Sequence, residues 1–259
     1  MKAETRMQIA ESILNPACPW KLPRLKWEFP KYPYKKTLIE WRALLALAKQ
    51  GDAEAEYEVA ALYDDGCKTR SGKILVRPSG RKALEWYRRS AAHGNTSAQT
   101  NLGVILSSAK ASKEDRREAL MWLKQAARAE YETAIQNTAI VYRENGDLRQ
   151  AVHWFRKSAA LGDDGARIQL GIHCYWGRGI RADHSAAIQY WRMATKGKNL
   201  SEAERDDAFF YLGIAYLEGK GVRSSLRMAQ KLLQRANIDN DHPAALRLLN
   251  QMEKSSAKR

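Results

Sequence analysis

A chain of 259 residues, 44 % of them hydrophobic, is long enough to bury a sizeable core, yet it contains no apolar run approaching the ~18–20 residues of a membrane helix, so a membrane span is not expected. Its 44 Lys and Arg against 29 Asp and Glu leave a net charge of +15, which favours acidic proteins, nucleic acid or anionic lipid as partners. Three scattered cysteines, Cys18, Cys67 and Cys174, show no C-x-x-C spacing and cannot all pair within the chain; Met1–Ala10 lacks the apolar stretch of a secretory signal, so a cytoplasmic protein with reduced thiols is expected.

In chain order, Met1–Asn15 reads as a short helix with Met7, Ala10, Ile13 and Leu14 at helical spacing. Between Pro16 and Lys36 five prolines forbid a continuous helix and favour extended backbone. Trp20, Trp27, Phe29, Tyr32 and Tyr34 alternate there with Lys21, Arg24, Lys26, Lys31, Lys35 and Lys36. Two readings of this arm stand side by side. The rings lie on the body as a lid with the charges outward, or they stack on bases while the cations meet phosphates. Thr37 and Glu40 then form a capping box, and a helix runs from Leu38 through Trp41, Leu44, Leu45 and Ala48 to a stop at Gly51.

From Asp52 onward one pattern recurs, clearest in Ala208–Ala236. Ala208, Leu212, Gly213 and Tyr216 make one apolar stripe, Gly219-Lys220-Gly221-Val222 breaks the helix, and Met228, Ala229, Leu232, Leu233 and Ala236 make a second. Neither stripe is buried by its own hairpin. Equivalent anchors fall at Val59, Leu102, Thr138, Leu170 and Leu212, in steps of 43, 36, 32 and 42 residues. In the second helix an alanine is followed three residues later by a bulky side chain: Ala83/Trp86, Ala119/Trp122, Ala151/Trp154, Ala187/Tyr190 and Ala229/Leu232. The second unit lacks the glycine turn, the third has only Asn145-Gly146-Asp147 between its helices, and the first carries seven extra residues between Gly66 and Val76. That insertion, with Lys68, Arg70, Lys73, Arg77, Arg81 and Lys82, reads as a basic loop, a candidate contact for an acidic or phosphorylated partner or else a solvated loop pinned by Ile74-Leu75-Val76. Pro243 suits the first turn of a closing helix over Ala244–Gln251, and Lys254–Arg259 reads as a frayed basic tail.

A first helix with A-x-x-x-L-G-x-x-Y, a G-x-G-V turn and a second helix with A-x-x-W-Y-x-x-A-A-x-x-G resembles the Sel-one-like repeat, a longer-looped relative of the tetratricopeptide repeat. The fifth unit matches the first-helix and turn pattern throughout; the fourth matches through Leu170-Gly171, Gly177-Arg178-Gly179-Ile180, Asp183 and Ala187. The resemblance covers roughly Thr37–Glu253. It implies an all-α, right-handed α-solenoid of about five stacked helix-turn-helix repeats with N- and C-terminal capping helices. The organisation that follows is an N-terminal helix and arm over 1–36, the solenoid over 37–253 and a tail over 254–259. The resemblance also implies a surface for other proteins rather than a shared active site, and among bacterial relatives one recurring role is the immunity or chaperone partner of an effector.

Stacking turns the residues before the anchors into a ladder: Glu58, Asn101, Asn137, Gln169 and Tyr211. Asn101 and Asn137 resemble positions where tetratricopeptide domains hold an extended ligand through side-chain amides, which both donate and accept. The expected partner is therefore a protein, acidic or presenting an extended or helical segment, held on the concave groove and basic edge; nucleic acid on the N-terminal arm is the alternative. Enzyme chemistry is not expected, and neither a cofactor nor a metal is called for. His93, His153, His173, His184 and His242 are scattered without metal spacing, and the G-x-G strings at Gly177 and Gly219 are hairpin turns. His173, beside Cys174, reads as a groove or core residue.

Overall fold

The computed structural model describes residues 37–69, 71–108, 111–198, 200–239 and 241–257. These residues fold into helices joined by short turns, and they divide into two compact units, one over residues 37–145 and one over 146–257.

In the first unit, α1 (Leu38–Lys49) starts at the expected capping box of Thr37 and Glu40 and buries Leu44 and Ala48. It packs on α2 (Ala53–Asp65), which pairs with α3 (Gly80–Ala92); α4 (Thr96–Leu106) pairs with α5 (Lys113–Arg128), and α6 (Glu132–Glu144) follows against α5. Side chains of Asp52, Asn95 and Ser112 accept from the first-turn amides of α2, α4 and α5, so the short polar residues before each apolar stripe set the helix starts. The insertion expected as a loop is a hairpin of two short antiparallel strands, β1 (Cys67–Lys68) and β2 (Ile74–Val76). Cys67 and Val76 join Leu44, Ala48, Val59 and Leu62 in one buried cluster.

The second unit runs α7 (Leu148–Ala160), α8 (Asp164–Trp176), α9 (His184–Thr195), α10 (Glu202–Glu218), α11 (Leu226–Arg235) and α12 (Pro243–Ala257), each packed on the next. Gly177 and Gly219 end α8 and α10 in left-handed conformation, as the repeated turn requires. The second glycine of each turn seats one hairpin on its neighbour. A Cβ at Gly179 would lie 2.4 Å from the Leu148 carbonyl and one at Gly221 2.7 Å from that of His184. Leu148 and His184 are the first residues of α7 and α9, so the turn touches the start of the preceding second helix. Pro243 opens α12 as expected, but the helix continues to Ala257, through residues read as the beginning of a frayed tail.

The buried bulky side chain of each second helix sits one residue beyond the position the sequence pattern suggested. Trp86, Trp122, Trp154, Tyr190 and Leu232 are half-buried, whereas Tyr87, Leu123, Phe155, Trp191 and Leu233, four residues after each alanine, are fully buried. Four residues is the closer match to the 3.6-residue turn, which places them directly above the buried alanine.

Candidate partner-binding surface

The β1–β2 hairpin is rooted and closed by its own hydrogen bonds. Cys67 stands opposite Val76 and Lys68 opposite Ile74, leaving Leu75 as the extra residue of a bulge. At the tip, the Thr69 amide donates to the Lys73 carbonyl at 2.8 Å, the Gly72 amide to the Thr69 carbonyl at 2.9 Å and the Lys73 amide to the Thr69 hydroxyl at 3.1 Å. The Ser79 amide donates to the Tyr63 carbonyl at 2.6 Å, tying the exit of the hairpin to α2. Of the predicted basic residues, Lys68, Lys73, Arg77, Arg81 and Lys82 are exposed on this hairpin and the first turn of α3; Arg70 lies outside the described residues. The Lys82 ammonium stands 5.0 Å over the Tyr63 ring. Ser79 makes no side-chain bond to the first turn of α3, which carries Arg81 and Lys82 and no acid, so two cations add to the positive end of the helix dipole. Of the Ile74-Leu75-Val76 segment expected to pin the insertion to the body, Val76 is buried and Leu75 packs against the core, while Ile74 is 56 % exposed among these cations.

Four of the five residues of the ladder are buried in this structure. Glu58, Asn101 and Asn137, in the first unit, are 8 %, 0 % and 0 % exposed, and Gln169, in the second, is 4 % exposed. Their helices are buried round most of their circumference: Ala55–Leu62 of α2, Ala98–Val104 of α4 and Ala134–Tyr142 of α6 are buried without interruption. Tyr211 is half-buried, stacked on the Trp191 ring at 5.3 Å and 17°, with Trp176 edge-on at 5.8 Å. Burial pushes its hydroxyl pKa well up, Asp207 adds to this and Arg178 opposes it. The N-terminal arm residues Trp20, Lys21, Arg24, Lys26, Trp27, Lys31, Lys35 and Lys36 lie outside the described residues, as does the predicted helix over Met1–Asn15.

A buried carboxylate that sequence reading passed over is Glu56, with no exposed side-chain surface. Arg89 Nε donates to it at 3.0 Å and His93 Nδ1 approaches its other oxygen at 2.6 Å, while Arg89 also reaches the Ala48 carbonyl at 3.4 Å. Glu56 stands three residues before its anchor, where Gln99 in the next repeat donates to the Ala91 carbonyl at 3.1 Å. A carboxylate cannot donate, so Arg89 takes over the link to the preceding helix. Arg89 and His93, four residues apart in sequence, carry a faint signal of this pairing; Glu56 itself lies 33 and 37 residues from them.

Among the described residues, His173, His242, Cys67 and Cys174 are buried. His173 is buried, its Nδ1 2.7 Å from the Arg178 carbonyl and its ring 5.8 Å from Phe155, the core one of the two placements, groove or core, read for it. Buried His242 precedes α12: the Ala245 amide donates to Nδ1 at 3.2 Å, which leaves Nε2 to donate to Asp207 at 3.2 Å. Cys67 and Cys174 are buried, and burial raises the Cys174 pKa. Cys174 lines an open cleft of about 690 Å³ together with Arg156, Arg181, His184 and Tyr190; Asp183 beside them caps α9 through the Ala186 amide. Among the described residues no group of three or more His, Cys, Asp or Glu could hold a metal ion, and no helix is long and apolar enough to cross a membrane.

Successive hairpins, each packed on the next through recurring buried alanine and bulky positions, define an α-helical repeat protein. The Sel1 repeat profile matches residues 53–95, 96–131, 142–163, 165–199 and 207–250, and the chain belongs to the Sel1 repeat family. A protective antigen of uropathogenic Escherichia coli strains, solved with an SLR fold, is similar at 27 % identity and a TM-score of 0.64, over 82 % of this chain and 44 % of that one. A Sel1 repeat protein from Oxalobacter formigenes gives a TM-score of 0.63 at 20 % identity, over 94 % of this chain and 87 % of its own. Chitin synthase regulatory factor 3 of Schizosaccharomyces pombe is 25 % identical over 168 residues, 61 % of this chain and 17 % of that protein. The chain thus spans less than half the length of the first and third of these relatives. The expected all-α hairpin solenoid is the fold these structures share with it. Sel1 repeats generally mediate protein–protein interaction, and the family is generally a non-catalytic scaffold.

Proposed function

We propose that this protein is a non-enzymatic scaffold or adaptor that binds a partner protein. The observation that supports this is the repeat array itself: five matched Sel1 segments, whose apolar stripes are consumed in packing one hairpin on the next, leave outward faces as the working surface. The basic edge at Lys68, Lys73, Arg77 and Arg81 is open for first contact. Glu58, Asn101, Asn137, Gln169 and Tyr211 contribute to a groove only where a partner reaches them, since four of the five are buried in this conformation. A narrower assignment, as the immunity or chaperone partner of a bacterial effector in the cytoplasm, rests on family likeness alone. Nucleic-acid binding through the basic, aromatic arm is the second reading, motivated by the charge of +15.

The test is an affinity pull-down from the source cell with the full chain, with and without nuclease and at low and moderate salt. A stoichiometric protein retained after nuclease is the expected result. Capture abolished by nuclease would replace the scaffold reading with the nucleic-acid one.

A further inference from the structure

We infer that the β1–β2 hairpin and the first turn of α3 form a preformed docking surface for an acidic, extended segment of a partner protein, in which Ile74 meets an apolar side chain and Lys68, Lys73, Arg77 and Arg81 meet carboxylates. This deepens the scaffold reading and rests on it. From Cys67 to Lys82 the chain carries six Lys or Arg and no Asp or Glu. Among the described residues, the side chains of Lys68, Lys73, Arg77 and Arg81 take part in no ion pair or hydrogen bond, so their charge is uncompensated. Exposed Asp64 and Asp65 at the end of α2 bound the basic run on one side and would orient an acidic ligand away from it.

Rigidity favours this surface as a recognition element. Cys67 and Val76 are anchored in the core, and Thr69 is bonded to Gly72 and Lys73, so the described backbone of both strands is already in place for a partner. The chemistry favours protein over nucleic acid. Ile74, 56 % exposed, offers an apolar contact that a phosphate backbone does not use. The nearby rings are covered rather than open for base stacking: Tyr63 lies under Lys82, and Trp86 under the Arg89 guanidinium at 4.3 Å.

The full chain is titrated by fluorescence anisotropy against three probes: a short polyglutamate peptide with central leucines, the same peptide with serines instead, and a single-stranded DNA of matched charge. Lys73→Glu with Arg77→Glu is expected to weaken the glutamate–leucine peptide by roughly tenfold or more, equivalent to about 1.4 kcal/mol. Ile74→Ser is expected to weaken that peptide while leaving the glutamate–serine peptide unchanged. Lys113→Glu with Arg117→Glu, the same charge change at exposed positions of α5, is expected to leave both unchanged. The milder pair Lys68→Ala and Arg81→Ala, expected to lower affinity severalfold, serves if the reversed hairpin does not fold. Equal losses from the hairpin and α5 reversals would reduce the effect to net charge and overturn the inference. So would tight binding of DNA alone, or an Ile74→Ser effect on both peptides. A captured partner protein that binds the hairpin-reversed chain unchanged would overturn this surface while leaving the scaffold reading intact.

Discussion

A Cβ added at Gly171 would lie 2.2 Å from the indole nitrogen of Trp191, and the same atom at Gly213 would lie 2.9 Å from Leu233 Cγ. Trp191 is fully buried and its indole donates to the Ile168 carbonyl at 3.2 Å, so the ring cannot swing away without losing that bond. Gly171→Ala is therefore expected to destabilise by about 1–3 kcal/mol, the range for overpacking a core, and Gly213→Ala by less, because a leucine can rotate; chemical denaturation of the two variants checks the order. Asp206 makes a second residue-scale case. Burial raises its pKa from 3.8, nearby Asp241 adds to this, His242 opposes it, and Asp239 and Asp207 add further. A carboxyl whose folded pKa is raised favours folding below its unfolded pKa, and that contribution is lost as pH rises through the folded value. At neutral pH the charge opposes folding, so Asp206→Asn is expected to raise the melting temperature at pH 7, with the gain disappearing as the pH falls towards 3.8. Scanning calorimetry across that range reads the trend directly.

At the scale of the element, each second helix buries the residue four positions after its alanine and lays the residue three positions after it along the surface. In α7, Phe155 is fully buried, while Trp154 is half-buried with the Lys157 ammonium 4.4 Å over its ring. Phe155→Ala is expected to cost about 3–5 kcal/mol, and Trp154→Ala clearly less although it removes the larger ring; urea midpoints of the two variants decide it. The alanine-and-ring pattern was legible in the sequence because both positions are bulky in most units. Which of the two points inward depends on how the helix is rotated against its first helix, and adjacent aromatic residues such as Trp86-Tyr87 carry no mark of that. The hairpin after α2 was visible as an insertion, but not as strands. Its pairing rests on two and three residues, too few for an alternating pattern to show.

Across the whole molecule, the charge of +15 sets a field that no single contact accounts for. Raising salt from about 0.01 M to about 0.15 M shortens the screening length from ~30 Å to ~8 Å, so association with an acidic partner is expected to slow steeply while dissociation changes little. Stopped-flow association rates at the two salt concentrations test this; a salt-independent rate would remove steering from the account.

The sequence by itself determined the repeat and its period, the capping box of Thr37 and Glu40 and the turn glycines, since these follow from local backbone chemistry that a few neighbouring residues specify. Only the tertiary structure decided that Asn101 and Asn137 are buried, that Glu56 is held by Arg89 and His93 from the facing helix, and that Ile74 stands exposed among cations. Exposure and pairing belong to the space between elements far apart in the chain, and helical spacing records which residues share a face but not what that face meets.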